Sequence, residues 1–267
     1  MAQEEPARGL WRRHPFYVRL NAGGLLVFGL AAVVTGVILE LGGQPGTIVP
    51  SAGIAVPTVV IALLALRIGG WALILAAVWA VLILLGTLLS LPTGFSHIDS
   101  FWDFAAALTT TAAVLAASVG GLVAFVQRRR GTVRQTATSV ERRSVVGATA
   151  VVAVLLLLSG VLHVVSLETV GEEEKAGAIA VGMKDTQFHP TEVMVQVGQP
   201  ATLVVKNDDV MVHTFTVPEL GINEVIIAGS EKLIAIAAAN PGSFAYVCEI
   251  FGHEAMKGTL VVQAAAQ

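Results

Sequence analysis

Charge is scarce in this chain. Only 13% of its 267 residues are Asp, Glu, Lys or Arg, about half the share usual in a soluble domain. That scarcity excludes an ordinary soluble protein and points to one that meets a lipid bilayer. Cysteine is scarcer still. The single residue Cys248 excludes an intramolecular disulfide. It leaves either a buried, inert thiol or one in chemical use. Basic residues are missing from two segments, 42–47 and 92–100. Where basic residues do occur, they are not interleaved with aromatics and go with no nucleic-acid-binding motif, so a nucleic-acid partner is excluded.

Long apolar runs fill the first 166 residues. A helix needs about 20 apolar residues to cross the hydrocarbon layer. Five runs meet that need: Asn21–Leu41, roughly 48–66, Gly70–Leu91, roughly 101–127 and Val145–Ser166. They predict a five-span transmembrane region over residues 21–166, preceded by a cytoplasmic segment, 1–20. The first run is too long for the core of a cleaved signal peptide, so it is expected to stay as an anchor. Ionisable residues are nearly absent from the spans away from their ends, which argues against an autonomous pump or channel. One histidine near a span end, His163, is too few for a haem held between helices. Stretches such as "ALTTTAAVLAASVGG" suit close helix packing, so anchoring and docking is the simplest role for the spans. A small-molecule site among them is the alternative.

Arginine placement sets the expected orientation. Arg8, Arg12, Arg13 and Arg19 precede the first span, and Arg67 lies between the second and third. Arg128, Arg129, Arg130, Arg134, Arg142 and Arg143 lie between the fourth and fifth. The alternation places the N-terminus in the cytoplasm and everything after Ser166 outside a multi-pass cell membrane protein.

Beyond Ser166 the composition changes. Five Lys stand against thirteen acids there, whereas eleven Arg stand against six acids before it. An acidic outer domain attracts basic redox partners, although ordinary solubility asks for the same surface. Residues 167–177 read as a short acidic linker. From 178 to 267 the chain alternates with period two in "TEVMVQV", "ATLVVKN", "VMVHTFTV", "KLIAIAA", "SFAYVC" and "GTLVV". Short strands at this spacing, separated by "NDD", "PELGIN" and "NPGS", predict an all-β sandwich.

The lone cysteine sits in "YVCEIFGHEAMKG", residues 246–258. Taken singly, Cys248 reads as a buried hydrophobe, His213 as a core histidine and Met256 as core filler. Together they read differently. A loop that doubles back brings Cys248, His253 and Met256 to one point, and His213 lies on a strand that can reach it. One thiolate, two imidazoles and a weak thioether are the ligand set of a mononuclear blue copper site. Such a set suits both oxidation states, so little has to move when an electron arrives. Glu249, Glu254 or a backbone carbonyl is the alternative to Met256 as axial ligand.

"KDTQFHPTEVMVQVGQPATLVVKNDDVMVHTFTV" followed by "YVCEIFGHEAMKGTLVV" resembles the cupredoxins over about residues 178–264. The resemblance rests on F-x-P, V-x-x-G, N-x-D before the first His, and Cys-x4-His before Met and K-G-T-L. It implies a Greek-key β-sandwich with one type 1 copper, held by His213, Cys248, His253 and Met256. It also implies that Thr214 supports the cysteine sulfur. The His-x2-Met spacing is that of cytochrome oxidase subunit II, whose dinuclear centre needs a second cysteine that this chain lacks.

The expected function is therefore single-electron transfer through copper on the outer face of the membrane. A cytochrome or a terminal oxidase is the expected redox partner, and nothing in the sequence requires catalysis. Copper binding or delivery without an electron-carrier role is the alternative, and a copper-free interaction module is a third reading. Among the remaining histidines, His189 in "QFHP" reads as solvated and His14 lies among the N-terminal arginines. His97, Asp99, Asp103 and His163 cluster near the outer membrane edge. They read either as interfacial polar residues or as a second metal or proton site.

Overall fold

The computed structural model describes residues 10–42 and 46–264. Arg8 and the rest of 1–9, loop residues 43–45 and the last three residues of the expected 178–267 domain lie outside the described residues. The chain divides into two compact units. One takes in the chain up to Val37 with Thr47–Leu91 and Ala106–Leu157; the other takes in Ile38–Gly46, Pro92–Ala105 and the chain from Leu158.

Helices follow the apolar runs, with shifted ends. They are α1 Phe16–Leu41, α2 Ile48–Arg67, α3 Trp71–Thr87, α4 Leu91–Ser96, α5 Phe101–Arg129, α6 Ser139–Ser166 and the short α7 Glu172–Lys175. Four of them (α1, α2, α5 and α6) are long and apolar enough to cross a membrane. The expected span 70–91 is only partly helical. α3 has 17 residues and rises about 26 Å, short of the roughly 30 Å hydrocarbon layer. Hydropathy could not see its end, because Leu88, Leu89 and Leu91 continue the apolar run after the helix turns out at Thr87. The Thr87 hydroxyl bonds back to the Ile83 carbonyl, and the Ser90 hydroxyl bonds to the Thr87 carbonyl. α6 begins earlier than its apolar run. Thr138 and Glu141 exchange backbone-to-side-chain hydrogen bonds in a capping box, and the cap sets a helix start rather than hydropathy.

Small residues do bring helices of the first unit together. A methyl group on Gly24 would overlap the Ala113 carbonyl, and one on Gly120 would meet the Asn21 backbone at 2.5 Å. Asn21 donates from its side-chain amide to the Ala117 carbonyl at 2.7 Å, which ties α1 to α5. Close backbone approach and bonds of this kind are what hold apolar helices together in a bilayer.

Among the described residues, the second unit contains a β-sandwich of nine strands: β1 Ile179–Lys184, β2 Gln187–His189, β3 Glu192–Gln196, β4 Ala201–Asn207, β5 His213–Val217, β6 Ile222–Ile226, β7 Glu231–Ile236, β8 Gly242–Val247 and β9 Lys257–Gln263. One sheet runs β2-β1-β4-β7 and the other β3-β9-β8-β5-β6. All six expected strand segments are strands; β1, β2 and β6 are additional. Alternation holds in β3, where Val193 and Val195 point inward. It fails in β5, which is buried along its whole length and lies between β8 and β6. Between the sheets, Tyr246 stacks on Phe215 with centroids 5.1 Å apart, and Phe188 meets both rings edge-on. The Tyr246 hydroxyl donates to the Pro190 carbonyl at 2.7 Å, which satisfies the polar end of a buried ring.

The acidic segment 167–177 is bonded to the sandwich. The Glu231 N–H donates to the Glu168 carbonyl at 2.8 Å. The Lys175 ammonium, on α7, lies 3.0 Å from the Glu231 carboxylate.

Candidate metal centre

The centre forms where β5 begins and where the loop between β8 and β9 folds back. His213 is the first residue of β5, and Cys248 directly follows β8. The loop is closed by its own backbone. The Cys248 N–H donates to the Met256 carbonyl at 3.0 Å, and the Met256 N–H donates to the His253 carbonyl at 2.8 Å. Gly252 takes φ +89° in this loop, a conformation that glycine adopts at no steric cost.

Three donor atoms converge. His213 Nδ1 and His253 Nδ1 lie 3.1 Å apart. Cys248 Sγ lies 3.7 Å from the first and 3.6 Å from the second. Among the described residues, these three form the only metal-holding group of three or more His, Cys, Asp or Glu, and all three are buried. An ion at the centre of their triangle would sit about 2 Å from each donor, in the range of metal–imidazole and metal–thiolate bonds. Met256 is buried beside them at 1% exposure. Glu249 and Glu254 are exposed and engaged elsewhere, with the Asn223 amide and the Gly252 N–H. The four residues are thus arranged as a type 1 copper site.

Surrounding groups fix the donors. The Thr214 N–H points at Cys248 Sγ at 3.4 Å, and the Thr214 hydroxyl accepts the Glu249 N–H at 2.8 Å. Asp209 Oδ2 lies 2.8 Å from His213 Nε2. This bond places the proton on Nε2 and turns the Nδ1 lone pair toward the centre. The same carboxylate accepts the Asp185 and Thr186 N–H groups at 2.8 and 3.0 Å. Buried Asn207 pins the ligand loop. Its amide donates to the Met211 and Ile226 carbonyls at 2.8 Å, and its oxygen accepts the Asp209 N–H at 2.9 Å. The N-x-D pattern was visible in the sequence, but the roles of Asn207 and Asp209 were not.

Electrostatics follow this geometry. Burial opposes the Cys248 thiolate, yet His213, His253 and the Thr214 N–H outweigh it and hold the thiol down at about 6. Burial also opposes a charged His213, yet Asp209 and Cys248 outweigh it and raise the imidazole to about 9. For Asp209, bonds from His213, Thr186 and Asp185 overcome burial and lower its pKa. Asp209 and the Cys248 sulfur thus favour a charged imidazole, and the two histidines favour a charged sulfur.

Among the described residues, no other histidine joins this group. His189 ends β2 and is exposed. His163 Nδ1 bonds the Asp99 carbonyl at 2.8 Å, a contact that fixes a helix end. Asp103 accepts hydrogen bonds from the Ser100 hydroxyl and the Val212 N–H. His97, Asp99, Asp103 and His163 form no metal-holding group among the described residues.

Residues 148–262 match the family model described as a cupredoxin-like domain. The match begins inside α6 and ends in β9. Among solved structures, the chain is similar to auracyanin A, a "blue" copper protein from Chloroflexus aurantiacus. The two are 22% identical over 32% of this chain and 98% of that one, with a TM-score of 0.30. It is also similar to the periplasmic domain of cytochrome oxidase subunit II (CoxB) of Bradyrhizobium japonicum. There the identity is 27% over 28% of this chain and 55% of that one, with a TM-score of 0.26. The novel purple cupredoxin from Nitrosopumilus maritimus is 16% identical over 32% of this chain and 99% of that one, with a TM-score of 0.26. No curated protein matches the chain.

Proposed function

We propose that this chain, whose C-terminal region carries a cupredoxin-like domain, is a membrane-anchored single-electron carrier with one type 1 copper. His213, Cys248, His253 and Met256 are its ligands. The observation that carries the reading is the buried triangle of His213 Nδ1, His253 Nδ1 and Cys248 Sγ, with edges of 3.1 to 3.7 Å. Bound copper supplies the one-electron couple. The protein supplies rigidity and dryness. Asp209 and Thr214 hold two donors in place from outside, and burial keeps water out. A donor set already in position needs little rearrangement when the charge changes.

Residues 21–166 serve as the anchor, with five spans if α3 crosses together with the segment after it. Residues 178–267 form the copper domain. Arginine-rich segments on alternate sides of the spans support a cytoplasmic N-terminus and an outer copper domain. There a cytochrome or a terminal oxidase is the fitting partner, and the acidic surface favours a basic docking face on it. Electron transfer of this kind needs no substrate chemistry, so the chain is read as a carrier and not an enzyme.

The test uses the full chain in detergent, loaded with Cu(II). An intense thiolate-to-copper band, lost in Cys248→Ser, together with a reversible voltammetric couple supports the carrier. Tight binding without a reversible couple supports copper handling instead. A chain that binds no copper overturns both readings.

A further inference from the structure

The segment 208–212, which leads into His213, is braced locally: the Asn207 amide donates to the Met211 carbonyl, and Asp209 binds His213 Nε2. The segment also meets residues far away in sequence but within the same compact unit. Asp103, in the first turn of α5, accepts the Val212 N–H on Oδ2 at 2.9 Å, and the same oxygen accepts the Ser100 hydroxyl. Gly42, just past α1, lies against Val210. A methyl group built on Gly42 would come within 2.8 Å of Val210 Cγ1.

An acid in the first turn of a helix is usually explained by the helix terminus alone. A capping box would have Asp103 accept the Ser100 N–H. Here that N–H goes to the His97 carbonyl at 2.9 Å. The Asp103 carboxylate is spent on the residue immediately before a copper-site histidine. Val212 and Ser100 are fully buried, so no water stands in for a lost partner without rearrangement.

We infer that Asp103 is a positioning residue for the copper centre, fixing the Val212 peptide and through it the setting of His213, with Gly42 leaving room for Val210 of the same segment. The inference rests on the copper reading above. By reciprocity of coupling, a change at copper is then felt at the start of α5, as a change at α5 is felt at copper.

The full chain in detergent, loaded with Cu(II), tests it with four variants: Asp103→Ala, Asp103→Asn, Ser100→Ala and Gly42→Val. The readouts are copper stoichiometry, charge-transfer band position, Cu(II) electron paramagnetic resonance and midpoint potential. Asp103→Ala is expected to shift the band and the potential while one copper per chain remains. Asp103→Asn keeps an acceptor oxygen for Val212 and is expected to retain the band position. Ser100→Ala leaves the carboxylate in place and is expected to do the same. Gly42→Val displaces Val210 without removing a polar group and is expected to shift the band; it carries the test if the alanine chain does not accumulate. A wild-type band that neither Asp103→Ala nor Gly42→Val moves overturns the inference alone. A wild-type chain that takes up no copper overturns the copper reading and the inference with it.

Discussion

Asp209 Oδ2 lies 2.8 Å from His213 Nε2, and both side chains are buried. The carboxylate thereby selects the tautomer whose Nδ1 faces Cys248. Outer partners of this kind are generally worth 10–100-fold in metal affinity. Asp209→Asn is therefore expected to weaken copper binding by about that factor. Its amide can serve one neighbour as acceptor but presents N–H groups to the other donors. Competition against a chelator of known affinity measures the change. An unaltered affinity would mean that the sandwich fixes His213 without Asp209.

Copper uptake is expected to release protons in a pH-dependent number. Cys248 is held at about 6 and His213 at about 9 in the metal-free centre. Both must be deprotonated at the ligating atom to bind metal. Between those values the thiol has already lost its proton and His213 has not, so about one proton leaves per copper. The contribution of these two groups rises toward two below 6 and falls toward none above 9. Affinity thus increases with pH up to about 9 and then levels off as far as these two groups are concerned. Titration calorimetry in buffers of different ionisation enthalpy counts the protons.

Met256→Leu separates an axial ligand from a core residue. The volumes match, so the fold should lose less than about 1.5 kcal/mol. If the thioether meets the copper, its loss removes a donor that favours the oxidised ion, and the midpoint potential rises. A potential that stays at the wild-type value would make Met256, at 1% exposure, a packing residue only. Voltammetry alongside chemical denaturation reads both quantities.

Gly258→Ala is expected to damage the sandwich rather than the donors. A side chain there would overlap the Tyr246 ring, which is clamped by its bond to the Pro190 carbonyl. Overpacking of this kind costs about 1–3 kcal/mol. Thermal unfolding of the metal-free chain should show it, with a copper spectrum of normal position in the fraction that folds.

Much of the centre was legible because its chemistry is local. Cys248, His253 and Met256 occupy one loop, and few other arrangements need those three donor types so close together. His213 stands 35 residues before Cys248; its strand and donor type mark it as a candidate, and the family pattern strengthens it, but neither gives its distance from the thiol. Six strands were legible from alternation. β2 has three residues and β6 reads "INEVI", so neither offers enough apolar repeats to be seen. The helical region was legible as apolar runs, but the ends of its helices were not. Hydropathy cannot register where α3 turns out at Thr87 or where a cap starts α6.

An apolar, helical N-terminal region and a β-domain with copper-type donors can be read from residue order alone. Hydropathy and donor softness belong to side chains and survive in any conformation. Which polar groups attend those donors emerges only once the chain is folded. Asp103 and Val212 are 109 residues apart and meet at 2.9 Å; the pairs of Asp209 with Asp185 and Thr186 also join distant stretches of chain. A hydrogen bond exists only within about 3 Å and along one direction, and no one-dimensional pattern encodes that distance.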